Sequence, residues 1–147
     1  MNRFIKLDNS GNLLSDFAES WSLVRDNDTK LIWEVKTDDT SIHDKNNIYN
    51  WHESQEVFIP VLNAEKFGGF NNWRLPTREE LISITDVKIY NPTIDTAYFP
   101  NTIPLRYWTS TIVVYNTTLA WSISFYGGNV GNRNKLDTYY VRAVRNS

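Results

Sequence analysis

The chain contains no cysteine. That removes disulfides, thiolate metal sites and cysteine nucleophiles together, so stability has to come from packing and hydrogen bonds. It also lacks a long apolar run. Nothing approaches the roughly 20 residues that span a bilayer, and Met1-Asn2-Arg3-Phe4-Ile5-Lys6 has no apolar signal-peptide core. Membrane insertion is not expected. There is no long basic run, and the formal net charge is −2. The electrostatic footprint that holds a phosphate backbone is missing, which argues against nucleic acid as a partner. Histidine is scarce: His43 and His52 stand alone, without a partner at ligand spacing, and read as surface residues.

Enzyme signatures are missing as well. No Gly-x-Ser-x-Gly elbow, phosphate loop or dinucleotide fingerprint occurs, and Phe67-Gly68-Gly69-Phe70 is too short and lacks the lysine. It reads as a helix stop. Glu79 and Glu80 are adjacent on a helix and point in different directions, so capping explains Glu80 without acid–base chemistry. The expectation is a protein that is not an enzyme, with no cofactor.

What is present suits one domain, residues 1–147: 41 % hydrophobic and 22 % charged residues over 147 positions can close around one core. Aromatic residues make up 14 %, including six Trp and eight Tyr, enough to pin irregular loops with large flat side chains. Phe4 to Leu7 and Leu13-Leu14 flank the turn Asp8-Asn9-Ser10-Gly11-Asn12 and predict a first hairpin. Trp21 to Arg25 and Leu31 to Val35 bracket Asp26 to Lys30 as a second. From Asn50 the period becomes helical, with a capping box at Asn50 and Glu53 and an apolar face of Val57, Phe58, Val61 and Leu62; Pro60 predicts a bend. Thr77 caps a second short helix carrying Leu81, Ile82 and Ile84. Strands are expected over Arg106 to Thr111, Leu119 to Phe125 and Tyr139 to Arg145, separated by long polar loops. The fold class is α+β.

Several segments together resemble one known family: Trp21-x-x-Val24-Arg25-Asp26-Asn27, Leu31 to Thr37, Trp73-Arg74-Leu75-Pro76-Thr77-Arg78-Glu79-Glu80-Leu81, Tyr98-Phe99-Pro100, Tyr107-Trp108-Thr109-Ser110 and Tyr140 to Arg145. It is the C-terminal-domain family of the bacterial collagen-like adhesin. The resemblance implies a C-type-lectin-like fold, with two helices, a small twisted antiparallel sheet and a ligand surface on the C-terminal strands and loops. It also implies a cell-surface, secreted or phage-associated setting. Many relatives carry cysteines where Leu23 and Gly68 stand, so this chain does without a bridge worth about 2 to 4 kcal/mol. Calcium-type sugar motifs, Glu-Pro-Asn or Trp-Asn-Asp, are absent, and no metal is assigned. The cysteine chemistry of the formylglycine-generating enzyme, which shares that fold, is closed to a chain without cysteine.

The ligand surface is expected between Trp108 and Tyr140, with residues 107–145 serving as framework strands and variable region. Strand alternation sends Trp121, Ile123 and Phe125 inward and Ser122, Ser124 and Tyr126 outward. The candidate ligand-binding residues are Tyr115, Asn116, Ser122, Ser124, Tyr126, Asn129, Asn132, Arg133, Asp137 and Tyr139, a Tyr-, Ser- and Asn-rich set of the kind adaptable binding surfaces use. The expected partner is a protein or glycan at a cell surface. From Ile112 to Tyr139 the chain has no Glu, Gln or Met, as randomised Asn codons would produce, so the region also resembles the variable segment of a diversity-generating retroelement target. A structural or oligomerisation module is the alternative reading, with the same face meeting a sister subunit.

Overall fold

The computed structural model describes residues 2–147. Strand β1, Phe4–Leu7, enters a turn in which the Asp8 carboxylate accepts from the backbone amides of Ser10 and Asn12, 2.9 Å each. The returning arm is a single bridge, Leu13 to Leu7, and the expected second strand does not form. The next hairpin does: β2, Leu23–Asp26, pairs antiparallel with β3, Leu31–Glu34. The free edge of β3 accepts β7, Val144–Asn146, giving the order β1-β2-β3-β7. Two segments distant in sequence thereby share one sheet. The strand expected over Tyr139 to Arg145 is shorter, because Tyr139 and Tyr140 bridge singly to Tyr49 and Tyr107.

The Asn50–Glu53 capping box opens α1, Trp51–Glu53. A widened π turn, Ser54–Phe58, separates it from α2, Ile59–Ala64. The reason is Pro60, whose ring would clash with the carbonyl four residues back in a regular helix. The Ile59 amide reaches the Ser54 carbonyl instead. This changes the helical phase: Phe58 and Leu62 are buried, whereas Val57 and Val61 are 49 % and 40 % exposed, against the single apolar face expected. The helix α3, Arg78–Ser83, starts at the Thr77–Glu80 capping box and buries Leu81, with Ile84 following; Ile82 points outward. Glu80 also takes a two-pronged ion pair from Arg74, at 2.7 and 2.8 Å.

A second antiparallel sheet holds β4, Arg106–Ile112, β5, Leu119–Ser124, and β6, Val130–Asn134, in that order. The strand β6 lies where a polar loop was expected. Its residues have little strand propensity. It forms on β5 as its template, after a turn in which Gly127 and Gly128 take φ of +93° and +83° and let the chain reverse. With two small antiparallel sheets and short helices the fold is α+β. One core cluster gathers Phe58, Leu62, Trp73 and Trp108; the other gathers Trp33, Tyr107, Ile123 and Phe125. Leu23 and Gly68 are in contact, and a Cβ added to Gly68 would lie 2.5 Å from Leu23 Cδ1.

Candidate ligand-binding surface

Cross-strand partners share a face of a sheet, so the register assigns the two faces of β4–β6. Tyr107, Ile123 and Val130 lie on one, together with Trp121 and Asn132. Arg106, Trp108, Ser122, Ser124, Gly131 and Arg133 lie on the other. The first is packed by Phe125 and Ile94 and crossed by α3, whose Arg78 guanidinium sits 4.9 Å above the Trp121 ring. Trp121 is therefore half-buried at the margin, not in the core as its alternation implied.

The second face is only partly open. Trp108 is fully buried there, its indole donating to the Tyr49 carbonyl at 2.9 Å and its ring edge-on to Tyr139 at 5.1 Å. The Tyr49–Tyr139 bridge covers this part of the sheet. Ser122 has no exposed surface: its Oγ donates to the Gly131 carbonyl at 2.9 Å and accepts from Arg106 Nη1 at 3.2 Å. The expectation that Ser122 faces solvent is corrected: alternation identifies two faces, but cannot tell which positions on a face the long side chain of a neighbouring strand, here Arg106, closes off.

The other nine candidates are at least partly accessible, yet they do not form one patch. Tyr115 and Asn116 lie on the loop between β4 and β5; the end of β6 comes to the same end of the sheet, where the Lys135 amide donates to the Thr118 carbonyl. Tyr126 and Asn129 lie on the hairpin at the other end of β5, a strand of six residues, roughly 20 Å away at strand rise. There the Gly127 amide is held by Thr93 Oγ1, and Tyr126 meets the exposed Tyr90 ring edge-on at 6.4 Å. Ser124 belongs to the hairpin end, where its amide donates to the Asn129 carbonyl, while Arg133 and, on the opposite face, Asn132 lie along β6 between the ends. The Tyr139 hydroxyl is 3.5 Å from Asp137, the outer limit of a hydrogen bond.

At the hairpin end of the sheet, beside the terminal Arg106–Ser124 pair of β4 and β5, lies a groove of 410 Å³ walled by Ile48, Leu105, Arg106, Ser124 and Tyr139. Arg106 was not singled out in the sequence. Its Nη1 donates to Ser122 Oγ at 3.2 Å, and it meets Arg133 over Gly131: each Nη1 is 3.0 Å from where a Gly131 Cβ would stand. Burial, and then the Arg133 charge, lower the Arg106 guanidinium below its ordinary value.

A larger cleft of 540 Å³ lies beside His43, Glu65, Lys66 and Gly68. Its imidazole is not the surface residue expected. Nδ1 lies 2.7 Å from buried Glu34 Oε2, and Nε2 lies 2.7 Å from Glu65 Oε1. Burial opposes the His43 charge, but the bonds and charges of Glu34 and Glu65 outweigh it and raise its pKa above the usual imidazole value. Both ring nitrogens are occupied, leaving neither for acid–base work on a ligand. Behind it, Glu34 bonds buried Lys36 at 3.2 Å and accepts the Ala143 amide, so this cluster ties β3 to the C-terminal segment. The alternation Glu34-x-Lys36 was the available signal, since strand residues two apart share a face. Among the described residues no group of three or more His, Asp or Glu side chains is arranged to hold a metal.

The fold and this surface define a small α+β domain with a packed framework and a polar, aromatic outer sheet. The Lcl C-terminal domain model matches residues 22–145, and the chain belongs to that family. No curated protein matches the chain.

Proposed function

We propose that the chain is a non-enzymatic ligand-binding domain of an adhesin or receptor-recognition protein, on a C-type-lectin-like scaffold, with its ligand surface on the β4–β6 sheet and its flanking loops. The observation that carries this reading is the contrast between the sheet's two sides. Tyr107, Ile123 and Phe125 are fully buried behind it, while a groove and two exposed loops bearing Tyr115, Asn116, Tyr126 and Asn129 lie open in front. A rigid framework beneath adaptable Tyr and Asn side chains lowers the entropy cost of binding. The partner is a protein or glycan displayed at a cell surface. Exposed positions of this kind also tolerate diversification, so the retroelement reading belongs here; a neighbouring reverse transcriptase gene and a near-identical repeat of the Tyr107–Arg145 coding segment are its test.

The deciding experiment is capture on a panel of surface glycans and proteins, comparing wild type with a Tyr126→Ala, Asn129→Ala double variant and a Tyr115→Ala, Asn116→Ala double variant. Loss of capture in at least one double variant, with unchanged thermal unfolding, is expected. Capture by both at wild-type strength removes the surface from consideration.

Assembly is the second reading. Val114, Tyr115 and Leu136 are 87 %, 75 % and 75 % exposed at the same end of the sheet, a cost that a sister subunit would relieve. Sedimentation settles the matter: a stable oligomer dissociated by Val114→Ser and Leu136→Ser favours assembly, and a monomer at all concentrations ends it.

A further inference from the structure

One wall of the groove on the β4–β6 sheet is Arg106, and Arg133, outside the lining, comes up to the same guanidinium. The two Nη1 atoms converge over Gly131, and among the described residues neither guanidinium forms an ion pair with a carboxylate. Arg3, Arg74 and Arg78 have carboxylates at 2.7, 2.7 and 3.0 Å, whereas Arg25, Arg142 and Arg145 have none among the described residues, so what sets Arg106 and Arg133 apart is that two of them converge on one glycine. Two guanidiniums side by side repel each other, and an anion between them removes that repulsion. Gly131 leaves room for the approach: a Cβ there would stand 3.0 Å from both Nη1 atoms and would press the two guanidiniums aside. The recorded bonds use a fraction of their donors: one from Arg106 to Ser122 Oγ and one from Arg133 to the Asn132 carbonyl at 2.7 Å. Each guanidinium has five N–H donors in a planar fork, the shape that meets a carboxylate in two-pronged fashion.

The rest of the groove specifies what carries the carboxylate. Ile48 and Leu105 stand 48 % and 53 % exposed along its wall, with the Tyr139 ring beside them. Aliphatic walls favour an apolar side chain over a polyhydroxylated ring, because burying hydroxyls against them without partners costs free energy. We propose that this groove takes the C-terminal end of a peptide, its free α-carboxylate on Arg106 and Arg133 and its apolar last side chain against Ile48, Leu105 and Tyr139. This rests on the reading of the β4–β6 sheet as the binding surface and names the ligand chemistry of its groove.

The test is an array of short peptides ending in each of the twenty residues, every sequence present as free acid and as C-terminal amide, with sialylated and sulfated oligosaccharides on the same slide. Binding is expected to free acids ending in Leu, Ile, Val or Phe, falling about tenfold or more for the matching amides, as loss of a charge-assisted pair implies. Arg106→Gln and Arg133→Gln should each reduce it by a similar factor with unchanged thermal unfolding. Arg133→Lys, which keeps the charge and loses the fork, should recover only part. Equal binding of acids and amides, no peptide binding at all, a double Gln variant that binds as wild type, or binding confined to the oligosaccharides would each overturn the proposal. If the loop variants of Tyr126 and Asn129 abolish capture on the glycan and protein panel while the arginine variants leave it intact, the surface reading stands and only the carboxylate site falls. If neither set changes any binding, both fall.

Discussion

A methyl group of Leu23 fills the space in front of Gly68, at the two positions where relatives were expected to carry cysteines. Contact between these positions is what a bridge would require, and here apolar packing closes the same junction between β2 and the turn after α2. Gly68→Ala would push a Cβ to 2.5 Å from Leu23 Cδ1 at a φ of +64°, so it should destabilise by about 2 to 4 kcal/mol, overpacking and left-handed strain together. Adding Leu23→Ala removes the clash, so the double variant should lose less than the two single losses summed; strict additivity in urea unfolding would contradict the contact. His43 leads to a second expectation. Its pKa is raised in the fold by Glu34 and Glu65, with 6.5 as the unperturbed value. The stabilisation is therefore complete below about pH 6.5 and is lost as pH rises through the higher folded value. Between pH 6 and 9 the unfolding temperature of wild type should fall more than that of His43→Gln, and parallel profiles would show that the imidazole is not held by its carboxylates.

The elements most legible in the sequence are those fixed by local chemistry. Asn50 with Glu53 and Thr77 with Glu80 close both capping boxes, and the Asp26–Lys30 turn joins β2 to β3 in register. The parts that were not legible depend on distant segments. The strand β6 has the poor strand formers Gly131, Asn132 and Asn134 and exists because β5 is its template, although the Gly127-Gly128 pair was a readable hairpin signal. The burial of Ser122 goes with the Arg106 guanidinium of β4, which no periodicity within β5 places beside it. Tyr115, Asn116, Tyr126 and Asn129 were read as exposed and are so, but their separation to opposite ends of β5 follows only from strand direction. The β5–β6 hairpin should therefore respond unevenly. Tyr126→Ala and Asn129→Ala should each change stability within about 0.5 kcal/mol, as exposed positions do. Ile123→Ser, at a site with no exposed surface, should cost about 3 to 5 kcal/mol by cavity and stranded hydroxyl. Thermal unfolding of the three proteins checks this, and an Ile123→Ser variant that melts with wild type would mean that the two faces are reversed.

At the scale of the whole molecule, the C-terminal segment joins parts that are far apart in sequence. Val144 is fully buried, pairs with Trp33 on β3, and exchanges two 2.9 Å backbone bonds with Arg74. Arg74 in turn grips Glu80 at the start of α3 and Asn146 at 2.6 Å. Immediately before it, fully buried Arg142 donates to the Glu34 carbonyl at 2.7 Å and to Thr102 Oγ1 at 2.9 Å. The strand β7 thus connects the first sheet, the Trp73 segment and the cap of α3. Ending the chain at Ala143 removes one buried valine side chain, worth about 1.5 to 3 kcal/mol, and several ladder bonds at about 0.5 to 1.5 kcal/mol each. Against a typical total of about 5 to 15 kcal/mol, that is a large fraction of the stability. For a domain of this size the unfolding temperature should drop by about 10 °C or more. Removing only Asn146 and Ser147, both exposed, should cost far less, because Val144 and its bonds to Arg74 remain. Circular dichroism melts of the two truncations against wild type make the comparison. Equal melting temperatures for the two truncated chains would mean that β7 does not tie the first sheet to the Trp73 segment and α3.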